Sequence, residues 1–282
     1  MKIERSKPSK FLEFGRNMNQ KYPSLRPLIR LGKILFYSKP KFSGWGMKTE
    51  HQLPWIDECD GEVFRKASID IKKVFKFNKR IVEIDENNID TLLWRHWIVT
   101  TTVRYAIKFS ELKIYNFVEC GVGEGFSAYF ALKEIKDQQK ISNFKMHLYD
   151  AWDSMLNEQL IENELSNPHT YDELSLDVTK NNLQEFNDDL IFHKGYIPDS
   201  LTSEPLPPGS ISYLHIDLNA VKPTMDVLSF FLPKLSKGGV ILFDDYGWDG
   251  YLDTKLELDK FFQDQPGIFL KLPTGQAIYF YR

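Results

Sequence analysis

The sequence predicts an α/β protein built on an open, mostly parallel sheet, and three observations carry the prediction. Beyond Ser110, short β-branched or aromatic runs alternate with longer stretches of helical patterning, as in successive βαβ units. The first of those runs ends in a glycine-rich turn, Glu119 to Gly125, that opens directly into a helical pattern at Phe126. The last two runs are separated only by Pro273-Thr-Gly-Gln. That is too short for a crossover helix, so they must form an antiparallel hairpin.

With 282 residues, 42% of them hydrophobic, the chain can bury a sizeable core and still carry an appendage. We read residues 1–85 as a basic, mainly helical extension and 86–282 as the sheet domain. Residues 1–50 hold twelve Lys/Arg against three Asp/Glu, whereas 51–282 hold 24 against 36. Within the basic part, Leu28, Ile29, Leu31, Ile34, Leu35 and Phe36 recur at helical spacing beside Arg30 and Lys33, punctuated by Pro23, Pro27 and Pro40. This pattern suits contact with an anionic substrate or membrane surface, or a helix packed on the rest of the chain or on a second copy of it. Nucleic-acid binding is not expected, because the body of the chain is acidic.

The following elements are expected in order. Phe42 to Pro54 is punctuated by Gly, Pro and Trp and reads as loop, and Gly61 to Lys79 reads as helix. A second helix spans Asn88 to Ser110, with Leu92, Leu93, Trp97, Val99, Val103 and Ile107 on its apolar face and the acids Glu83, Asp85 and Glu86 at its entry. Strands follow at Tyr115–Glu119, Lys145–Tyr149, Leu190–His193, Ser212–Ile216, Val240–Phe243, Ile268–Leu272 and Ala277–Tyr281. Helices are expected at Phe126–Lys136, Tyr171–Glu185, Val221–Leu235 and Thr254–Gln263. Cys59 and Cys120, the only cysteines, form no metal-ligand spacing, so neither a disulfide framework nor structural zinc is expected. No leader-like segment and no apolar run of bilayer length occurs, and a cytoplasmic protein is expected.

Candidate site residues gather at the carboxyl ends of the strands, where open α/β sheets bind ligands. Gly121, Gly123 and Gly125 give a GxGxG spacing, in which a missing side chain lets the backbone approach a nucleoside and turn sharply into the helix. Asp150, at the tip of the second strand, is placed to accept ribose hydroxyls, with Asp153 as a rival and helix capping as the alternative role. His215-Ile-Asp217 and Phe243-Asp-Asp245 deliver Asp217, Asp244 and Asp245 to one edge. Three crowded carboxylates repel one another unless a cation relieves them, and all-oxygen ligands favour Mg2+. Capping or water binding is the alternative. The histidines form no metal motif; His96 and His193 are weaker candidates for a base facing a substrate.

These motifs together resemble the class I S-adenosylmethionine (SAM)-dependent methyltransferases, and within them the macrocin O-methyltransferase (TylF-like) type that modifies sugar hydroxyls. The resemblance runs through Phe117-Val-Glu-Cys-Gly-Val-Gly-Glu-Gly125, Tyr149-Asp-Ala-Trp-Asp-Ser154, Lys194-Gly-Tyr-Ile-Pro-Asp-Ser-Leu201, His215-Ile-Asp217 and Lys234-Leu-Ser-Lys-Gly-Gly-Val-Ile-Leu-Phe-Asp-Asp-Tyr-Gly247, and covers about residues 90–282. It implies a Rossmann-like seven-stranded methyltransferase sheet with an antiparallel terminal strand and helices on both faces. By position it implies that Glu119, Gly121, Gly123 and Gly125 hold the methionine end of SAM, Asp150 its ribose, and Gly195 and Tyr196 its adenine side. Asp217, Asp244 and Asp245 would hold Mg2+, with Asp217 as general base. The chain departs from the family where Asn219 replaces the second acid of an Asp-Gly-Asp-x-Tyr run.

The function these features predict is Mg2+-assisted methyl transfer from SAM to a hydroxyl of a sugar or of a glycan or natural-product precursor. The acceptor would be a small molecule, anionic or nucleotide-linked to suit the basic extension. The rivals are a metal-independent methyltransferase acting on another oxygen or nitrogen, including a phosphorylated substrate, and, outside that class, an NAD(P)-dependent oxidoreductase or an inactive cofactor-binding scaffold.

Overall fold

A computed structural model describes residues 53–56, 58–76, 89–165, 171–202, 206–248 and 250–282. The basic segment and the acids Glu83, Asp85 and Glu86 lie outside the described residues. Residues 54–282 form one compact unit. Helix α1 (Glu58–Val74), which the sequence placed in the extension, is part of that unit and packs on the helix that follows the glycine turn.

The seven strands are β1 (Tyr115–Cys120), β2 (Phe144–Asp150), β3 (Leu190–Lys194), β4 (Ile211–Ile216), β5 (Leu235–Phe243), β6 (Gly267–Lys271) and β7 (Ala277–Tyr281). They lie in the order β3-β2-β1-β4-β5-β7-β6. β1 to β5 pair in parallel, whereas β7 inserts antiparallel between β5 and β6, with Val240 opposite Phe280 and Ile268 opposite Phe280 on its other side. The hairpin read from the sequence is therefore present, and it supplies the antiparallel end of the sheet. The fifth strand is longer than expected, because it starts at Leu235 and runs through Gly238 and Gly239 rather than beginning after them.

The two faces of the sheet bury different sets of residues, as the two-residue period of a strand dictates. Val118, Cys120, Leu214, Ile216, Ile241 and Phe243 belong to a cluster completed by α6 (Val221–Phe231) and α7 (Leu252–Phe261), through Val227, Leu228, Phe231 and Leu258. The opposite parity, Phe117, Glu119, Tyr213 and His215, is buried as well. That face is covered by α2 (Leu93–Phe109) and α3 (Phe126–Lys133), which pack on each other and on α1. Aromatic contacts tie these three helices together: Phe64 of α1 lies 5.2 Å from Trp97 of α2 and 4.8 Å from Phe130 of α3. A fully buried side chain of this size contributes about 1.5–3 kcal/mol. Threonines on the buried side of α2 return their hydroxyls to the helix, Thr100 to Trp97 O and Thr102 to Ile98 O, so no hydroxyl is stranded.

Between β2 and β3 the chain forms a single helical turn, α4 (Glu162–Leu165), and a short helix, α5 (Leu176–Asn182). The expected helix at 171–185 is thus shortened. Its C-terminal part becomes a 3-10 stretch, Gln184–Asp189, that leads straight into β3.

Candidate active site

The carboxyl ends of β1, β2, β3, β4 and β5 open onto a cleft of about 630 Å3. Its floor is the glycine turn. Gly121 has φ +88°, and a Cβ there would come within 1.8 Å of the Asp217 carbonyl oxygen, so only glycine lets β1 leave the sheet so close to the end of β4. The loop is clamped from both sides. The amides of Val122 and Gly123 donate to Asp150 Oδ2 at 2.7 and 2.9 Å, and Trp152 N donates to Oδ1 at 2.6 Å. On the other side the Gly123 carbonyl accepts from Thr179 Oγ1 at 2.6 Å and from Trp152 Nε1 at 3.1 Å. Asp150 therefore organises the loop; Asp153 lines the cleft and, among the described residues, accepts the local Ser154 amide.

Next to β2, Gly195 donates its amide to the Asp150 carbonyl, and Tyr196 donates its hydroxyl to Ser154 O at 2.9 Å. Both line the cleft.

Two of the expected cofactor residues stand elsewhere. Gly125 is the N-cap of α3, packed under Leu183, and Glu119 points to the α2 face with 1% exposure; neither is among the lining residues. Glu119 Oε1 lies 3.4 Å from His215 Nδ1, its neighbour in the β1–β4 register. Burial pushes the Glu119 carboxyl above its usual range, and His215 opposes that shift.

The structure brings Asp217, Asp244 and Asp245 to one wall of the cleft. Asp217 follows β4 directly, and its amide donates to Cys120 O, which extends the β1 ladder. Asp244 is committed on both oxygens: Arg95 of α2 pairs with Oδ2, and Gln276 donates Nε2 to Oδ1 at 2.7 Å. The Arg95 guanidinium also lies 4.6 Å from the centre of the Trp248 ring. Asp245 Oδ2 accepts the Asn219 amide at 2.8 Å, and the Tyr251 hydroxyl donates to Asn219 Oδ1. Burial first, and the Asp217 charge second, push the Asp245 carboxyl well above the ordinary range, with Arg95 opposing. Among the described residues, the group with ligand atoms mutually within 4.8 Å is His215, Asp217 and Asp244.

Arg95 is not singled out by the sequence, and its neighbour His96 is read there only as a weaker candidate for a base. The available signal was polar residues in the first turn of an otherwise apolar helix, Leu93-Trp-Arg-His-Trp97. His96 lines the cleft. His193 is absent from the lining residues; its Nε2 lies 3.1 Å from His147 Nδ1 and its ring stacks on Tyr149 at 4.0 Å.

The sheet order, the clamped glycine loop and the acids beside it are similar to those of the class I, S-adenosylmethionine-dependent methyltransferases, whose Rossmann-like fold this chain has. In particular, residues 118–246 match the family model described as "Methyltransferase domain". The fold is similar to that of the O-methyltransferase NovP, with a TM-score of 0.57 and 18% identity over 67% of this chain and 80% of that one. It is also similar to CalS11, a calicheamicin methyltransferase, with a TM-score of 0.55 and 13% identity over 86% of this chain and 99% of that one. No curated protein sequence matches the chain. Among the described residues, no helix is long and apolar enough to cross a membrane.

Proposed function

We propose that the protein transfers the methyl group of SAM to a hydroxyl of a sugar, or of a glycan or natural-product precursor, with Asp217 as the base. The observation that carries this reading is the position of Asp217. It sits across Gly121 from the cofactor loop, on the cleft wall, next to a second carboxylate that is held protonated more readily than usual. In the reaction the acceptor oxygen forms a bond to the methyl carbon as the carbon–sulfur bond breaks in line behind it. The hydroxyl proton passes to Asp217, and the sulfonium leaves as a neutral thioether. The wall must therefore hold the acceptor oxygen in line with the methyl group and exclude water, which by itself lowers the barrier greatly. The likeness to NovP and to a calicheamicin methyltransferase, in fold, supports an acceptor of the sugar or natural-product kind. The basic composition of residues 1–50 supports an acceptor with an anionic part, such as a nucleotide-linked sugar.

Carboxylate oxygens such as those of Asp217, Asp244 and Asp245 are the donors that Mg2+ takes, but among the described residues close ligand atoms are offered by His215, Asp217 and Asp244, and Asp244 is already held by Arg95 and Gln276. Bound there, it would make an acceptor hydroxyl more acidic. A second reading, transfer without metal, is favoured by the Arg95–Asp244 pair, which already places one positive charge on the acidic edge.

The test is methyl transfer from labelled SAM to a panel of nucleotide-linked sugars, glycosides and phenols, each with Mg2+ and with chelator. Asp217→Asn is expected to lower turnover by roughly a hundredfold or more, the scale of a lost general base, while S-adenosylhomocysteine still binds. Undiminished turnover by that variant would remove Asp217 from its role, and turnover unaffected by chelator would select the metal-free reading.

A further inference from the structure

Among the described residues lining the cleft, His96 is the buried polar side chain with no hydrogen-bond partner. It is 5% exposed, its ring stacks on Phe130 at 4.6 Å and 17°, and Phe126 lies 6.3 Å away. Neither Nδ1 nor Nε2 has a hydrogen-bond partner. A buried ring nitrogen without a partner costs free energy, and a phenylalanine would fill the same aromatic stack without that cost. Yet the residue lines the cleft beside the glycine turn.

We propose that His96 binds the cofactor, its imidazole hydrogen-bonding the amino-acid end of S-adenosylmethionine. The inference rests on the methyltransferase reading of the cleft, and the direction of the sheet argues for it. Asp150 on β2 and Gly195 and Tyr196 beyond β3 occupy one side of the glycine turn, which suits a nucleoside. The remainder of the cofactor must then run the other way, towards β4 and α2. His96 stands on that side, over the face of the sheet that buries Glu119 and His215. Glu119, expected from the sequence to meet the methionine end, is turned into the core, so that end needs another partner among the lining residues.

The protonation state agrees. Burial, with Arg95 and His215 adding to it, lowers the His96 pKa to about 3, so the ring is neutral. A neutral imidazole offers one N–H donor and one acceptor, which matches a carboxylate and an ammonium on the same carbon. An imidazolium would instead repel the sulfonium.

Calorimetric titration of the full chain and of His96→Phe, with S-adenosylhomocysteine and with 5′-methylthioadenosine, tests the assignment. The second ligand has the nucleoside and sulfur but no amino-acid end. His96→Phe is expected to weaken S-adenosylhomocysteine roughly tenfold, to leave 5′-methylthioadenosine unchanged, and to melt no lower than the parent. His96→Asn, which keeps one donor and one acceptor, is expected to recover part of the loss. Equal S-adenosylhomocysteine affinity in parent and His96→Phe would overturn the proposal, and so would an equal loss for both ligands. A parent protein that binds neither ligand would instead overturn the cofactor reading on which the proposal stands.

Discussion

Arg95 pairs with Asp244 while its guanidinium lies over the indole of Trp248, 4.6 Å from the ring centre. The Asp244 side chain is only 4% exposed, so the charge it carries depends on that partner. Removing one member of a buried pair leaves the other uncompensated, at a cost of roughly 3 kcal/mol. Arg95→Gln is therefore expected to lose stability on that scale in urea denaturation. The double variant Arg95→Gln/Asp244→Asn should recover part of it, because the stranded charge is gone. Additive losses in the cycle would show that the two side chains do not depend on each other.

Asp150 accepts three backbone amides, those of Val122, Gly123 and Trp152. Asparagine keeps one acceptor oxygen and brings a donor that faces amides, so at least one of these bonds becomes a repulsive contact. Hydrogen bonds to a charged group contribute about 1.5–3 kcal/mol each. Asp150→Asn should lose roughly that much stability and weaken S-adenosylhomocysteine at least about tenfold. Thermal melting and calorimetry would read both. A variant with parental affinity would show that the clamp does not shape the site.

Glycines with the same backbone sign should differ sharply on substitution. At Gly121 an added Cβ would sit 1.8 Å from Asp217 O, whereas at Gly209, φ +70°, it would meet nothing within 4 Å. Gly209→Ala should cost only the left-handed backbone term, about 1–2 kcal/mol. Gly121→Ala should cost well beyond that or fail to fold, and the comparison is a pair of denaturation curves.

His147 is buried against His193, and burial first, with His193 and Lys145 adding, lowers its pKa to about 4. The unfolded chain takes up this proton near pH 6.5, whereas the folded one resists until about pH 4. Its contribution is thus fully present above pH 6.5 and is lost as pH falls towards 4, at up to about 1.4 kcal/mol per pH unit. His147→Asn should flatten the acid side of the stability profile by one proton. An unchanged slope between pH 6.5 and 4 would contradict the shift.

Much of this architecture was legible from patterning. Strands β1 to β4 and the closing hairpin could be placed because short apolar runs were bounded by turn residues, and Asp217, Asp244 and Asp245 because each follows such a run. Glu119 misled because the last position of a strand looks like a site. Its parity, shared with Phe117, instead turns it towards α2 and His215. The start of β5 was missed because Gly238 and Gly239 read as a turn, although the strand continues through them. Arg95 was invisible as a site residue, and His96 was legible only as a weaker candidate for a base, for a different reason. The packing of α2 on the sheet alone brings Arg95 to Asp244 and His96 to the cleft, and no local spacing encodes it.

The turn between β6 and β7 lies at the edge of the sheet, and such hairpin turns are usually where a tag or a linker can be spliced in without harm. Here that convention fails. The Gly247 amide donates to the Gly275 carbonyl, Trp248 lies against Gly275, and Gln276, fully buried, reaches Asp244. A peptide inserted after Thr274 would sit on the surface yet be felt at the carboxylate wall, so the permissive splice sites of this protein have to be sought elsewhere.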